Sequence, residues 1–441
     1  MVWHTVRVTN DVAPAGRPAT AALPAAKHVS FAALQHRGFR LFFVGNATAM
    51  MADNCEHVIS YWVMFQKFHS AELGGIAVIS HWVPFLLLSG YAGALASRID
   101  VRRMIQLGML LFMGVSISWG VLIATGTLRI WHAVVLLTIH GLAGVLWTTP
   151  AQLLIHDIVE DVHLPSAVRL AATTRYLGTL LGPAVGNGLM LLLGPALGIF
   201  FNALFYLPMF LWLWKAPYGR RFRAQVADVD APVRGLGDAI ATLRSIRGNH
   251  IILTMTILAG AASFFVGTAY QAQMPNFAAD LGHGNASLSY AALAAADAAG
   301  GLCAALILES RGLLMPRVPT ALLLCMLWCG ALAVFAMTRS YPLSLTALFF
   351  AGFLELSFGA MAQALVQLNA PGALRGHVIG VFVMAALGLR FVSGFTVGVM
   401  GAVVGVHQSL ALSAAALFVV IAVLFCRQAM HPSAPARASA H

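Results

Sequence analysis

Charged side chains are scarce in this sequence, and so are cysteines. Only 9% of the 441 residues are charged, against roughly 25% in soluble domains, whereas 60% are hydrophobic and the mean hydropathy is +0.83. This balance excludes a soluble globular protein and indicates a polytopic membrane protein. The net charge of +11 does not indicate nucleic-acid binding, because the basic residues lie at the ends of apolar segments and not on one soluble face.

The few cysteines predict no disulfide framework. All five fall within apolar segments or at their ends, where buried thiols act as small hydrophobic groups; they are Cys55, Cys303, Cys325, Cys329 and Cys426. Cys325 and Cys329 are one helical turn apart, but no second pair of Cys or His accompanies them, so no metal site is expected there. Residues 1–38 lack the apolar core of a signal peptide and are expected to form a cytoplasmic tail.

Twelve apolar segments are long enough to cross a bilayer, which takes about 20 helical residues. They fall into two sets of six, which predicts an all-α polytopic membrane protein with two six-helix bundles, 39–216 and 251–427. The predicted spans 1 to 12 lie at 39–67, 76–96, 104–125, 131–156, 167–193, 196–216, 251–279, 287–308, 318–338, 342–368, 377–404 and 409–427. A cytoplasmic linker at 217–250 and a C-terminal tail at 428–441 complete the chain.

The distribution of basic residues predicts that both termini are cytoplasmic. In that orientation nearly all of the 26 lysines and arginines lie in cytoplasmic tails, loops and adjoining helix ends, as the positive-inside rule requires. The exceptions are Lys67, Arg129 and Arg339 outside, and Arg390 within a span.

The loop between spans 2 and 3 reads GYAGALASRIDVRR. It resembles the G-x-L-a-D-R-x-G-R-R loop of the major facilitator superfamily, a cytoplasmic latch between the two halves of those transporters. The resemblance implies a gating role for Gly93, Arg98, Asp100, Arg102 and Arg103. Ser97 stands where the family has an aspartate; serine can cap a helix but carries no charge, so the latch is expected to be weaker or held by other residues. A basic loop that only sets topology is the alternative.

Span 5 contains LGTLLGPAVGNG, which resembles the G-x-x-x-G-P-x-x-G-G motif of drug-proton antiporters in this superfamily. The matching positions are Gly178, Gly182, Pro183 and Gly186, with Asn187 in place of the last glycine. The motif implies export, and physically it implies that span 5 packs closely on a neighbour and bends at the proline. Since glycine-rich membrane helices are common, packing alone is the alternative.

Further stretches, such as RGFRLFFVGNATAMMADN and HDIVEDVHLPSA, resemble the branch that contains the enterobactin exporter and macrolide efflux proteins. This resemblance implies an antiporter in the bacterial inner membrane that exports a siderophore or a drug-like molecule. The protein is expected to be a monomer. Its energy source would be the proton gradient, with no cofactor, and its partners a small-molecule substrate, protons and the lipid bilayer. A lysophospholipid transporter and a nutrient facilitator or importer remain alternatives. No nucleophile elbow, phosphate loop or metal signature indicates an enzyme.

Ionisable residues lie at the centres of several spans, where they are costly unless they face a cavity or a partner. In span 1, Asp53, Glu56 and His57 are related by i+3 and i+4 and so share one helix face. They are predicted to load and release protons along the transport path, together with Asp297 of span 8 and Glu355 of span 10. A buried Asp53 that only hydrogen-bonds to neighbouring helices is the alternative.

Arg390 of span 11 would offset its burial cost by pairing with Asp297 or Glu355, which could also be purely structural. Glu309, at a helix end, is expected to be solvated. The residues predicted to line a substrate cavity are Asn46, Tyr61, His81, His140, Tyr270, Gln271, Gln273 and Arg390. The histidines could in principle bind a metal with Glu56, but the sequence supplies no clear ligand set and predicts no metal site.

Overall fold

A computed structural model describes residues 31–68, 72–96, 98–219, 244, 248–281, 286–311 and 315–430. Every regular element in these ranges is a helix. Ser97 and most of the predicted linker lie outside the described residues, as do most of the two predicted tails.

Six helices form the N-terminal bundle. α1 spans Arg37–Phe68, α2 Glu72–Ala96, α3 Val101–Ala124 and α4 Ile130–Ile158. A long helical run follows through Leu164–Asn202, Ala203–Tyr206 and Leu207–Lys215. Gly194 divides this run into α5 (164–193) and α6 (195–215), because its φ of 76° lies in the left-handed region that glycine enters at little cost.

Six further helices form the C-terminal bundle. α7 comprises His250–Phe265 and Ala269–Asp280, α8 spans Ala286–Arg311, α9 Val318–Met337, α10 Tyr341–Asn369 and α12 Val406–Met430. α11 runs through residues 375–404 and contains two π-helical segments, Met384–Gly388 and Gly394–Val399. π-Helical turns occur often at functional sites, and these two flank Arg390.

Two helices carry the irregularities that matter for the site. α7 turns at Gly267, whose φ is 50° and where an added Cβ would lie 2.8 Å from the carbonyl oxygen of Ser263. α5 contains Pro183 within continuous helix, and Gly194 forms the turn between α5 and α6. The bend predicted at Pro183 stays a prediction.

Ten apolar segments of the described chain are long enough to cross a membrane. One of them, Asp161–Lys215, contains both α5 and α6. α1 is not among the ten, since charged and polar side chains interrupt its apolar sequence, yet at 32 residues it has ample length to span. The predicted fold, twelve transmembrane helices in two six-helix bundles, is confirmed.

The bundles meet where α2 packs on α11 and where α5 packs on α8 and α10. We name the end that carries the α2–α3, α4–α5, α8–α9 and α10–α11 loops the inner end, after the predicted orientation, and the opposite one the outer end. Near the inner end, α2 and α11 touch backbone to backbone: a Cβ on Gly380 would lie 2.7 Å from the carbonyl oxygen of Ser89. Small residues allow this close crossing.

All five cysteines lie within the described ranges and are free thiols. Cys55, Cys325 and Cys329 are buried, as expected of small hydrophobic groups. Cys426 is exposed, because it lies near the end of α12, where few neighbours cover it.

Candidate functional site

His140 of α4 bridges two carboxyl groups of α1. Its Nε2 lies 2.7 Å from Oδ1 of Asp53, and its Nδ1 lies 2.8 Å from Oε1 of Glu56. Both contacts are hydrogen bonds only if the ring carries two protons, or if one carboxyl group carries a proton in place of the ring. The three side chains therefore share protons within one network.

The three polar residues predicted to share one face of α1 have different surroundings. Glu56 is only 2% exposed, and its carboxylate accepts a hydrogen bond from the hydroxyl of Ser116 on α3. Asn202 in turn donates to that hydroxyl over 3.4 Å. The side chains of Asp53 and His57 keep 19% and 20% exposure. Glu56 is thus enclosed by the bundle, whereas Asp53 and His57 are partly exposed.

Three histidines from three helices meet beside Asp53. The ring centres of His57 on α1 and His140 are 4.8 Å apart, and His81 on α2 lies 5.0 Å from the first and 5.4 Å from the second. One nitrogen of each ring lies within 4.8 Å of a nitrogen of the others. We name these three histidines and Asp53 the histidine cluster. The fold brings these side chains together from three helices, which the sequence did not show.

A second polar network joins the bundles. Nη2 of Arg175 on α5 lies 2.5 Å from Oε1 of Glu355 on α10. The hydroxyl of Tyr270 on α7 lies 3.2 Å from the other oxygen of Glu355 and 3.1 Å from Oδ1 of Asp297 on α8. Gln271 donates to Oδ2 of Asp297 over 2.8 Å. We name these five residues the interbundle network.

The hydroxyl of Tyr270 faces two carboxyl groups but carries one proton. Its single hydroxyl proton can be donated to one carboxylate at a time. The second contact becomes a hydrogen bond only when the other carboxyl group is protonated and donates to the tyrosine oxygen. Because Asp297 and Glu355 both lie within reach of that oxygen, the geometry accommodates one further proton.

Arg390 makes no direct ion pair with either carboxylate. Its guanidinium lies 5.0 Å from the ring centre of Trp82 on α2, and its Nε is buried with no hydrogen-bond partner among the described residues. The cation in contact with Glu355 is Arg175. The sequence analysis counted Arg175 among the basic residues at inner helix ends, whereas in the structure it lies on α5 at the interface of the two bundles. Its position inside predicted span 5 was the sequence feature that could have indicated this role.

Glu309 is fully buried, which corrects the expectation that it is solvated. Its carboxylate accepts hydrogen bonds from Nη2 of Arg169 at 2.8 Å and from the hydroxyl of Ser166. Both partners belong to α5, so the contact ties α8 to α5 near the inner end. The expectation failed because the neighbouring bundle covers this helix end.

Asp100 and Arg102 of the predicted gating loop contact each other and the end of the same bundle. Asp100 caps α3 by accepting from the backbone N–H of Arg102 at 3.0 Å and pairs with its guanidinium at 2.7 Å. Arg102 also donates to the carbonyl of Ala216 beyond α6 over 2.6 Å. Partial burial raises the pKa of Asp100, but the hydrogen bonds and charge of Arg102 outweigh it, so the pKa lies below its usual value.

The other predicted gating residues differ in placement. Gly93 lies at the crossing of α2 and α11, close to the backbone of Gly376 and Gly380. Arg98 is half-buried and Arg103 is exposed. Gly93 therefore contributes a contact between the bundles.

The glycine motif of α5 packs this helix on α1. A Cβ on Gly178 would lie 2.7 Å from the carbonyl oxygen of Met50, and one on Gly186 3.2 Å from that of Cys55. Gly182 lies against Asn54. The close packing predicted from the motif is observed. Asn187 is exposed and so does not place an amide in this contact.

The remaining cavity candidates are scattered. Asn46 is buried within the N-terminal bundle, where its amide donates to Thr174 over 2.6 Å and accepts from Trp147 over 3.1 Å. Tyr61 lies beside the histidine cluster, its ring centre 5.3 Å from that of His57. The amide of Gln273 accepts from a neighbour on its own helix, outside the interbundle network.

Residues 42–394 match the family model of the Major Facilitator Superfamily. No curated protein matches the chain. Among solved structures, the human organic anion transporter MFSD10 (TETRAN) is similar with a TM-score of 0.67 at 15% identity, covering 88% of this chain and 99% of that one. The E. coli fucose:proton symporter FucP has a TM-score of 0.67 at 14% identity, covering 91% and 99%. A bacterial homologue of the iron transporter ferroportin, in an outward-facing state, has a TM-score of 0.64 at 15% identity, covering 89% and 100%.

Proposed function

Since this chain belongs to the major facilitator superfamily, a family of membrane transporters, we propose that it is a secondary active transporter that exports a small amphipathic molecule in exchange for protons. The resemblance of LGTLLGPAVGNG on α5 to the antiporter motif supports export. The resemblance to siderophore and macrolide exporters supports the substrate class. Substrate would bind between the bundles, as in transporters built from two repeats.

The observation that carries the proposal is the contact of Arg175 with Glu355. It joins α5 of one bundle to α10 of the other, where alternating access requires the bundles to move against each other. Glu355 is 9% exposed, so its ionised form depends on a nearby cation. A proton on Glu355 removes the charge that holds Arg175 and frees the two helices to separate.

Asp297 and Tyr270 give this proton a route. The tyrosine hydroxyl lies within hydrogen-bond distance of both carboxyl groups, so a proton can pass between Asp297 and Glu355 through one side chain. Loading either carboxyl group changes which arrangement of the bundles is more stable. This coupling involves only the interbundle network, and the proton role predicted for Asp53, Glu56 and His57 stays a prediction.

Everted membrane vesicles test this function. Respiration acidifies their interior, which quenches a fluorescent amine dye, and an exporter that exchanges substrate for protons restores the fluorescence when substrate is added. A macrolide antibiotic, a catecholate siderophore and a lysophospholipid are added separately. We expect recovery with the wild-type protein and none with Glu355→Gln. Glu160→Gln, a substitution at an exposed acid near the inner end, is the matched control and should behave as wild type.

Three outcomes contradict the proposal. Recovery with Glu355→Gln equal to that of the wild type removes the interbundle network from coupling. Transport that continues unchanged after the proton gradient is collapsed indicates a facilitator. The absence of a response to all three compounds overturns the proposed substrate class.

A further inference from the structure

We propose that the histidine cluster binds one divalent first-row transition-metal ion, with His57, His81, His140 and Asp53 as its ligands. The site lies in the N-terminal bundle, at the meeting of α1, α2 and α4, apart from the interbundle network. Metal binding at this site goes beyond the proposed function, since it requires no transport step.

The donor set suits such an ion. Imidazole nitrogen and carboxylate oxygen are ligands that Zn²⁺ and its neighbours in the first transition row prefer, and four of them complete a tetrahedral site. The three ring nitrogens lie within 4.8 Å of one another, whereas ligand atoms on tetrahedral zinc are separated by roughly 3.3 Å for bonds of about 2.0 Å. Small rotations of the side chains close this gap.

The hydrogen bonds leave lone pairs available for a metal. Nδ1 of His57 lies 2.8 Å from the carbonyl oxygen of Asp53; a carbonyl only accepts, so Nδ1 carries the proton and Nε2 the lone pair. Nδ1 of His81 is buried and has no hydrogen-bond partner among the described residues, and the residue is 8% exposed. An unsatisfied buried nitrogen is costly, and a metal ion would satisfy it.

Glu56 occupies the position of an outer partner of the site. Its carboxylate lies 2.8 Å from Nδ1 of His140 and accepts from Ser116, while Nε2 of the same ring faces Asp53 at 2.7 Å. A carboxylate that holds one nitrogen of a histidine while the other binds metal is a frequent arrangement in metalloproteins. The metal would displace to solvent the proton between His140 and Asp53, and the two carboxylates would offset its double charge.

Proton sharing without a metal ion explains fewer of these contacts than metal binding does. It explains the contacts of His140 with Asp53 and Glu56, but it gives Nδ1 of His81 nothing to bind. A metal ion explains both the network and the gathering of His57 and His81 around it. Because Asp53 and His57 keep about a fifth of their side-chain surface exposed, an ion can reach the cluster.

The test uses the full chain purified in detergent without a polyhistidine tag and stripped with a chelator. Co²⁺ is the probe, since its visible absorption reports coordination geometry, and Zn²⁺ bound to the same protein is examined by X-ray absorption. We expect one ion per chain, with two or more imidazole ligands in the X-ray spectrum. His57→Ala and His81→Ala should each weaken Co²⁺ binding at least about tenfold. His250→Ala, at an exposed histidine of α7, should not.

Failure of the wild-type protein to bind either ion overturns the proposal. So does a bound ion without imidazole ligands, or unchanged Co²⁺ affinity in His81→Ala. The X-ray spectrum needs only the wild-type protein, so the result does not depend on whether a variant folds. Size-exclusion profiles of the variants separate a lost ligand from a lost fold.

Discussion

Arg175 and Glu355 form an ion pair of 2.5 Å between helices of opposite bundles. Each is the other's direct ionic partner in the interbundle network, although the two are 180 residues apart in sequence. Removing one member of such a pair leaves a buried charge without compensation, whereas replacing both with apolar residues can be neutral or stabilising. The pair therefore matters more for the coupling of the bundles than for net stability.

We predict that Arg175→Met lowers the free energy of unfolding by about 3 kcal/mol, and that adding Glu355→Leu restores most of it. Denaturation in mixed micelles, followed by near-UV circular dichroism, measures both. Arg40→Gln, at an exposed position on α1, serves as the control and should have little effect. Equal losses from the single and double variants would show that packing, and not charge, explains the effect.

The glycines of α5 allow a prediction with a control in the same helix. A Cβ on Gly178 would meet the backbone of α1 at 2.7 Å, whereas one on Gly188 has nothing within 4 Å. Gly178→Ala should destabilise the protein by about 1–3 kcal/mol through overpacking, and Gly188→Ala should be neutral or stabilising because alanine favours helix. Thermal unfolding in detergent compares them. Equal effects would remove the close contact with α1 as the cause.

The sequence was sufficient for the number and grouping of the helices. A membrane span needs a long apolar stretch, so hydropathy indicates most of the helices, although it joins α5 and α6 into one segment and passes over α1. The sequence also predicted that Gly178 and Gly182 lie at a contact between helices, since only small residues permit such packing. It could not show that α1 is the partner, because the partner is a property of the bundle.

The chemistry of the site was less accessible from the sequence. Asp53 and His57 are visible as polar residues in one span, but His81 and His140 join them from other helices, and periodicity carries no distance between helices. Glu309 was expected to be solvated because it ends its own helix, and the opposite bundle covers it. In each case the missing information was tertiary contact.

The cap of α3 gives a prediction for pH dependence. The pKa of Asp100 is lower in the folded protein than in the unfolded chain because of Arg102, so its carboxylate stabilises the fold above about pH 4 and loses this effect as the pH falls through the folded-state value. Asp100→Ala should cost about 1 kcal/mol at neutral pH through the lost cap. Unfolding measured from pH 7 down to pH 3 should show that the difference between Asp100→Ala and the wild type decreases as the pH falls.

Glu160→Ala is the control for that experiment, because Glu160 is exposed and its side chain caps nothing. Its stability should track the wild type across the whole pH range. A difference between Asp100→Ala and wild type that persists unchanged at pH 3 would mean that the hydrogen bonds do not depend on the charge of the carboxylate.

The buried contact of Glu309 with Arg169 predicts how the inner end opens. Since it ties α8 to α5, Glu309→Gln should weaken closure and shift the population towards a state with a wider inner end. Spin labels at Glu160 and Arg311, exposed on opposite bundles, measure this by pulsed electron resonance. Of the native thiols, only Cys303 and Cys426 are replaced, because the others are buried.

The expected result is a second, longer distance between the labels in Glu309→Gln that is weak or absent in the wild type. Asp280→Asn is the matched control, since Asp280 lies at the outer end and pairs with His407 at 3.5 Å; it should leave the inner distance unchanged. An unchanged distance distribution in Glu309→Gln would mean that the glycine crossing of α2 and α11 is sufficient to hold the inner end closed.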